Sequence, residues 1–147
     1  MNPSVSPEIF AIPVRIYYED TDAGGVVYYA NYLKFLERCR TEWLRSIGHQ
    51  QAALRAEFGI AFVVRRVNLS YLKPARLDEE LLTTLRIESL GHAQIVFRQS
   101  IRRANPDTTT GWDELVQGTI DVVCIDVARM KAKPIPAFLR TQLEAMQ

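Results

Sequence analysis

The amino-acid sequence predicts an α+β fold in which an antiparallel β-sheet wraps around one long α-helix. Apolar residues recur at helical spacing from about Ala30 to Ile47, and the chain beyond about Ala61 is mostly strand-like. A helix followed by a run of adjacent strands is typical of an antiparallel sheet, and a long sheet can curve to cover the apolar stripe of that helix. A chain of 147 residues is long enough to bury such a core within one domain.

The N-terminal residues carry no periodic pattern. Met1–Ile12, punctuated by Pro3 and Pro7, are expected to form a flexible lead-in, so that residues 13–147 make up a single domain. A first strand is predicted over about Val14–Tyr18, where β-branched and aromatic residues are concentrated.

The long helix has a wide apolar stripe, with its charged residues largely on the opposite side. Gly48 provides a suitable stop just beyond its end. A second, shorter helix is predicted over Gln50–Glu57 and is closed by Gly59. The stripe consists of Tyr32, Phe35, Leu36, Cys39, Trp43, Leu44 and Ile47.

The remaining chain is predicted to be strands, with one loop and a short terminal helix. Two of the strands form a hairpin about Gly91-His92, and the polar segment Ala104–Gly111 is a loop. A short helix is expected after Pro136, because proline is favoured at the start of a helix. The predicted strands are Ala61–Leu72, Leu81–Leu90, Gln94–Arg103 and Leu115–Asp126.

Composition excludes several classes of function. A formal net charge of +1 with dispersed charges offers no general attraction for nucleic acid. Cys39 and Cys124 are far apart in apolar contexts, which favours small core residues and a reducing compartment, so we expect a cytoplasmic location. No apolar stretch is long enough to span a bilayer. His49 and His92 lie outside any ligand cluster, so no metal is expected.

The most informative segment joins the first strand to the long helix. It reads Asp20-Thr-Asp22-Ala-Gly-Gly-Val-Val-Tyr-Tyr-Ala-Asn31-Tyr32. A carboxylate is thereby placed beside a helix N-terminus, where unpaired backbone N–H groups and the helix dipole stabilise negative charge. A carboxylate facing such donors suits acyl transfer at a polarised carbonyl.

This segment resembles the active-site signature of the 4-hydroxybenzoyl-CoA thioesterase family, whose members have the hot-dog fold. Further segments resemble the acyl-CoA thioesterases associated with the Tol-Pal system in bacteria, and the similarity extends from about Arg15 to Pro136. These segments are Phe62–Arg66, Tyr71–Asp78, Val122–Asp126 and Arg129–Lys131.

The resemblance implies hydrolysis of an acyl-CoA thioester to a free acid and coenzyme A, with no cofactor. Asp22 would be the catalytic carboxylate, acting as nucleophile or as general base on water, both of which suit an aspartate that is ionised at neutral pH. Tyr29 would donate its backbone N–H to the thioester oxygen. The implied substrates are short-chain aliphatic or aroyl thioesters, because bulky tyrosines crowd the start of the helix.

Each candidate residue also has a purely structural interpretation. Asp22 could cap the helix, although the surrounding signature favours catalysis. Asp20 and Glu19 could share the catalytic work, but a role in shaping the turn is favoured. Asn31 could cap the helix or orient a catalytic water, with capping favoured. Candidate substrate-binding residues are Gly25, Val26 and Tyr28, together with the cations Arg65, Arg66 and Lys73, for which solvated surface charge is the commoner role.

Two departures from the family pattern bear on the substrate. Tyr29 stands where the Tol-Pal-associated group commonly has histidine, and Tyr-Ala-Asn-Tyr is closer to the aroyl-CoA branch. That branch has a basic turn that holds coenzyme A phosphates, whereas the corresponding hairpin here reads Ser89-Leu90-Gly91-His92.

Two other functions stay open for this sequence. One is an adaptor that binds acyl thioesters, on coenzyme A or on an acyl-carrier protein, without turnover. The other is a hot-dog dehydratase, which would be expected to place a histidine in the site. By resemblance, the chain is expected to form a homodimer whose sheets join edge to edge and whose dimers pair into a tetramer.

Overall fold

The computed structural model describes residues 9–147, which contain six strands and three α-helices. A 3-10 turn at Tyr18–Asp20 follows the first strand. The strands are β1 Phe10–Arg15, β2 Ile60–Tyr71, β3 Glu80–Leu90, β4 Gln94–Ala104, β5 Trp112–Asp126 and β6 Lys131–Ala132. The helices are α1 Asn31–Ser46, α2 Gln51–Phe58 and α3 Ala137–Glu144.

The main strands form one antiparallel sheet in the order β1-β3-β4-β5-β2, and β6 pairs with β5. Helix α1 packs on this sheet through its apolar stripe, which lies in the main hydrophobic core. A sheet wrapped around a long central helix is the predicted hot-dog fold. Its two edges are β1 and the longer β2.

Helix α1 matches its predicted bounds within one residue at each end. Leu36 and Cys39 are fully buried and Trp43 is nearly so, as expected for residues at helical spacing on one face. Gly48 follows the helix with a φ of +94°, a conformation that glycine adopts without steric cost. The C-terminal end of the helix is therefore closed by packing and by a local turn.

The first strand differs from its prediction. Met1–Glu8 lie outside the described residues, but Phe10–Ile12 pair with β3, so the strand begins four residues before Val14. Tyr17 and Tyr18, placed in the strand by prediction, are 61% and 83% exposed. Proline lacks the N–H that a central strand requires, but an edge strand such as β1 accommodates Pro13, which explains the early start.

The last long strand also starts earlier than predicted, at Trp112 rather than Leu115. Glu114 pairs with Arg102 across β4, with 2.6 Å between Oε1 and Nε, and Asp113 contacts Arg103 at 3.5 Å. Cross-strand ion pairs stabilise this polar stretch as part of the strand. The prediction relied on the alternation of apolar residues, which does not reveal such pairs. No helix in residues 9–147 is long and apolar enough to cross a membrane.

Candidate active site

A tight hairpin precedes α1 and carries the predicted catalytic aspartate. Thr21 and Val27 form a β-bridge, and the Asp22 N–H donates to the Val26 carbonyl at 2.9 Å. The turn between them closes when the Gly25 N–H donates to the Asp22 carbonyl at 3.1 Å. Gly25 has a φ of +78°, so the turn needs a residue without a Cβ at this point.

The Asp22 carboxylate is exposed and is held by one hydrogen bond. Its Oδ1 accepts the Gly24 N–H at 2.8 Å, while Oδ2 has no hydrogen-bond partner within residues 9–147. The side chain lines an open cavity of about 440 Å³ with Tyr18, Thr21, Ala23, Gly25 and Leu77. Asp22 therefore makes no capping bond to α1, and its side chain lines a cavity that is open to solvent.

Asp20 has a structural role, as predicted. Its Oδ2 accepts the Tyr17 N–H at 2.8 Å, which closes the 3-10 turn. Its carbonyl accepts the Tyr28 N–H at 3.0 Å and the Asn31 Nδ2 at 2.9 Å. Asn31 thus ties the turn to the first residue of α1, and the prediction that it caps the helix is wrong, because Ala30 occupies the cap position without a side-chain bond.

The start of α1 leaves a backbone donor available at Tyr29. The Tyr28 N–H is used by Asp20, but the Tyr29 N–H has no acceptor in the described part of the chain. It precedes the first helical residue, where the dipole of the helix favours a negative charge. An unpaired N–H beside a helix start is the kind of donor predicted for stabilising a developing oxyanion.

Asp22 and Tyr29 line separate cavities within the chain. The cavity at Tyr29, about 220 Å³, is lined by Val27, Tyr29, Tyr32, Tyr71, Leu72, Lys73 and Pro74, none of which lines the cavity at Asp22. Tyr29 packs edge-to-face on Tyr71 of β2 with ring centroids 6.1 Å apart. One chain therefore presents the two predicted catalytic groups in separate open cavities, without enclosing them together.

The other two tyrosines near the start of α1 differ in exposure: Tyr32 is buried and Tyr28 is exposed. Tyr32 is buried and its hydroxyl accepts the Ala75 N–H at 3.0 Å; burial raises its pKa, so it is a structural residue as predicted. Tyr28 is 48% exposed beside Tyr29 and is available to a substrate. Val26, also a predicted substrate contact, forms a β-bridge with Arg76 and is partly exposed.

Two of the three predicted substrate-binding cations are already paired. Arg65 contacts the buried Asp121 at 3.2 Å, and Lys73 contacts Asp113 at 3.0 Å. Hydrogen bonds, first from Lys73, lower the pKa of Asp113 below its usual value. Arg66 is exposed and makes no ion pair within residues 9–147. The carboxylates that pair with Arg65 and Lys73 are distant in sequence, so the sequence alone could not show which of the three cations are paired.

The histidines and cysteines have the structural roles that the sequence indicated. His49 contacts Gln142 and packs on Phe138, and the His92 carbonyl accepts the Ile135 N–H at the hairpin turn. Both cysteines are buried and free, and burial raises the pKa of Cys39 to about 12. Within the described residues, no group of three or more His, Cys, Asp or Glu side chains is placed to hold a metal ion.

The sequence did not reveal a cavity between the helices and the sheet. It measures about 140 Å³, lies beside α1 and α3, and reaches β2 at Phe62 and Val64. Trp43 and Phe97 contact each other edge-to-face at 5.1 Å, and both line this cavity. Residues of α1, α2, α3, β2, β4 and β5 line it together, so no local sequence pattern could have indicated it.

The fold and the site define a class: small hot-dog proteins with a carboxylate loop at the N-terminus of the central helix. The thioesterase superfamily model matches residues 24–110, which begin within this loop. An acyl-CoA thioester hydrolase, YbgC, of Escherichia coli is 46% identical over 87% of this chain and 90% of its own length. The acyl-CoA thioesterase YbgC of Haemophilus influenzae is 42% identical over 86% of this chain and 88% of its own.

The chain therefore belongs to the thioesterase superfamily, which confirms the resemblance seen in the sequence. A solved mutant of 4-hydroxybenzoyl CoA thioesterase, with aspartate replaced by asparagine and 4-hydroxybenzoyl CoA bound, has the same fold. Its TM-score is 0.81 at 22% identity, with 91% of this chain and 97% of that chain covered.

Proposed function

We propose that this protein hydrolyses acyl-CoA thioesters to a free acid and coenzyme A. The observation that carries the proposal is the Asp22 carboxylate, fixed by the Gly24 N–H beside a helix start whose Tyr29 N–H is free. The YbgC relatives, named as acyl-CoA thioester hydrolases or thioesterases, support this activity because the chain covers nearly their whole length.

In the proposed reaction, the thioester oxygen accepts the Tyr29 N–H as negative charge develops on it. Asp22 attacks the carbonyl carbon, the carbon–sulfur bond breaks, and water then hydrolyses the mixed anhydride. Alternatively, Asp22 removes a proton from water, which attacks the carbonyl directly. Loss of one oxyanion donor typically costs about 3–4 kcal/mol of transition-state stabilisation. Water is the only co-reactant, so we propose that no cofactor takes part.

We propose short-chain aliphatic or aroyl groups as the acyl part. Tyr28 and Tyr29 are 48% and 62% exposed, and their rings contact each other at a tilt of 44° with centroids 5.0 Å apart, which leaves aromatic surface beside the proposed oxyanion position. Aromatic faces favour offset or edge-on contact with another ring. A carrier protein in place of coenzyme A remains an alternative donor. The two buried, free cysteines support a reducing location such as the cytoplasm.

We propose that the protein acts as a homodimer joined along the β2 edges, with pairing of dimers into a tetramer. Strand β2 is twelve residues long, lies at the edge of the sheet, and exposes Val64, Val67 and Tyr71 by 47%, 42% and 48%. Long apolar edges pair readily with another strand. Since the open Tyr29 cavity adjoins Tyr71, a partner strand along β2 would help to enclose the site.

The activity is tested by incubating the purified protein with a panel of acyl-CoA thioesters and a thiol reagent. Thiol release that favours short aliphatic or aroyl groups is expected. Preference for long fatty chains would contradict the proposed acyl specificity, and tight binding without turnover would identify an adaptor. Formation of an enoyl product from a hydroxyacyl thioester would identify a dehydratase.

The dimer is tested with Val67→Lys, which places a charge in the middle of the exposed edge. We expect sedimentation to show a monomer with at least about tenfold lower turnover, since charged residues on edge strands prevent pairing. Gln117→Lys on the central strand β5 is the matched control, because Gln117 is exposed without lying on an edge. A Val67→Lys protein that stays dimeric would rule out the β2 interface.

A further inference from the structure

A cluster of ion pairs lies where β4 and β5 meet the segment between β2 and β3. Arg103, on β4, contacts Glu79 at 2.9 Å and Asp113 at 3.5 Å. Lys73 shares Asp113, with 3.0 Å between its Nζ and Oδ1. The side chains of Arg103, Glu79 and Asp113 are at most 24% exposed, so salt screens these charges less than it screens ion pairs on an open surface.

The cluster holds the segment that joins β2 to β3, called here the support turn and defined as residues 74–79. The Arg103 Nη1 donates to both carboxylate oxygens of Glu79, at 2.9 and 3.1 Å, and to the Pro74 carbonyl at 3.4 Å. The Glu79 Oε1 also accepts the Arg76 N–H at 2.6 Å. Arg103 thus connects the first and last residues of the support turn, and through Glu79 it fixes the backbone at Arg76.

The support turn in its turn holds the hairpin that carries Asp22. The Ala75 carbonyl accepts the Val27 N–H at 2.9 Å, and Arg76 forms a β-bridge with Val26. The Val26 carbonyl closes the hairpin by accepting the Asp22 N–H at 2.9 Å. A continuous series of backbone contacts therefore links the support turn to the residue that carries the proposed reactive carboxylate.

Hydrogen bonds to other elements hold the support turn independently of the cluster. The Tyr32 hydroxyl, on α1, accepts the Ala75 N–H at 3.0 Å. The Ile16 N–H, just after β1, donates to the Glu79 carbonyl at 2.9 Å. Replacing Arg103 should therefore leave the support turn folded and release only the Glu79 carboxylate and the contacts that depend on it.

We propose that Arg103 is a positioning residue for the hydrolysis, because it orients the Glu79 carboxylate, which fixes the support turn and thereby the reactive position of Asp22. This inference rests on the proposed hydrolase function. Arg103 lines neither the cavity at Asp22 nor the cavity at Tyr29, so it acts through the hairpin and not by touching the substrate. A strand of the sheet is a rigid base for such a support, and catalytic groups need to be held within about 0.5 Å of the reactive geometry.

The first test measures kcat and KM for an acyl-CoA thioester in Arg103→Met, which keeps an unbranched apolar stem and removes the charge. Since a misplacement of about 1 Å can cost about 100-fold in rate, we expect kcat to fall about tenfold with KM within about twofold of wild type. Arg103→Lys keeps the charge, but its single nitrogen cannot reach Glu79 and Asp113 together, so kcat should fall about two- to fivefold. Wild-type kcat in either folded variant, or a rise in KM alone, would overturn the proposal.

The matched control is Arg102→Met. Arg102 is the preceding residue of β4 and pairs with Glu114 directly opposite it on β5, as Arg103 does with Asp113. Adjacent residues of a strand point to opposite faces, so this pair lies on the other face of the sheet from the support turn. Arg102→Met should keep kcat and KM within about twofold of wild type. An equal loss of kcat in the control would overturn the specific role of Arg103.

The second test asks whether Arg103 acts through Asp22. In the Asp22→Asn background, adding Arg103→Met should not lower the residual thiol release further, because the group that Arg103 positions has already been removed. A further tenfold loss would show that Arg103 acts elsewhere and would overturn the positioning of Asp22.

Hydrogen exchange separates the positioning role from the hydrolase function. The N–H groups of Asp22 and Val27 are bonded to Val26 and Ala75, so peptides spanning residues 21–27 should exchange several-fold faster in Arg103→Met than in wild type or Arg102→Met. Unchanged exchange in Arg103→Met would overturn the proposal. A wild-type protein that releases no thiol would instead refute the hydrolase function, and the exchange data would still show whether Arg103 fixes the hairpin.

Discussion

The two ends of the segment from Asp20 to Ser46, which consists of the loop and the helix α1 that follows it, differ in what holds them and in what they offer to a substrate. At the sealed end, defined here as residues 36–46, Leu36 and Cys39 are fully buried and Trp43 is 4% exposed. At the open end, defined here as residues 20–30, Tyr28 and Tyr29 are 48% and 62% exposed and the loop is held by backbone hydrogen bonds. The sealed end thus contributes stability and the open end presents the candidate reactive groups, so changes at the two ends should have separable effects.

The largest effect on stability is expected at the sealed end, for Leu36→Ala. Truncating a fully buried leucine leaves a cavity and typically costs 2–5 kcal/mol, so unfolding by denaturant should shift by about that amount. Turnover per folded molecule should stay within about threefold of wild type.

Leu33→Ala on the same helix is the control for this change. Leu33 is 39% exposed, and its truncation should cost less than about 1 kcal/mol. If Leu36→Ala abolished turnover while the protein remained folded, the sealed end and the open end of the segment would not be independent.

The open end is probed by Gly24→Ala. A Cβ at this position would lie 3.2 Å from the Asp22 Oδ1, so it would push the carboxylate by a few tenths of an ångström. Because a misplacement of about 1 Å can cost 100-fold in rate, we expect about a tenfold loss of turnover with little change in the melting temperature.

Gly25→Ala separates carboxylate displacement from backbone strain. Its Cβ would meet nothing within 4 Å, but the residue has a φ of +78°, so about 1–2 kcal/mol of stability should be lost. Full turnover in Gly24→Ala would show that the position of Asp22 does not limit the rate.

The smallest predicted effect concerns Cys39 at the sealed end. Burial raises its pKa from 9.0 to about 12, so the folded state keeps a proton that the unfolded state loses above pH 9. The contribution is complete below pH 9 and declines as pH rises, by about 0.8 kcal/mol between pH 8 and 9.5. Denaturation curves should show this decline in wild type and a correspondingly weaker one in Cys39→Ala; identical slopes would contradict a buried neutral thiol.

The sealed end could be predicted from the sequence more fully than the open end. The apolar stripe predicted α1 within one residue at each end, because burial follows directly from helical periodicity. The loop motif also placed Asp22 between the first strand and α1, where the structure has it. Ion pairs between residues far apart in sequence were not predictable, because the Arg65–Asp121 and Lys73–Asp113 pairs span 56 and 40 residues. Strand β6 was not predicted either, because two residues are too few to show a periodic pattern.

The role of Asn31 shows a further limit. Its side chain could form a hydrogen bond with the backbone of the helix or with the backbone of the preceding turn, and the local sequence is compatible with both. The carbonyl of Asp20 decides between them because the 3-10 turn brings it to 2.9 Å from Nδ2. The separation of the Asp22 and Tyr29 cavities is likewise a consequence of tertiary packing, which sequence spacing does not contain.

The most direct measurement is the turnover number of Asp22→Asn beside that of Asp20→Asn, with thermal melting of both. Each variant removes one negative charge, and each amide oxygen can still accept its backbone N–H, from Gly24 or from Tyr17. We expect Asp22→Asn to lose about 100- to 10,000-fold in turnover at an unchanged melting temperature, since the lost interaction belongs to the transition state. Asp20→Asn should retain turnover within a few-fold. A folded, fully active Asp22→Asn would contradict the catalytic assignment.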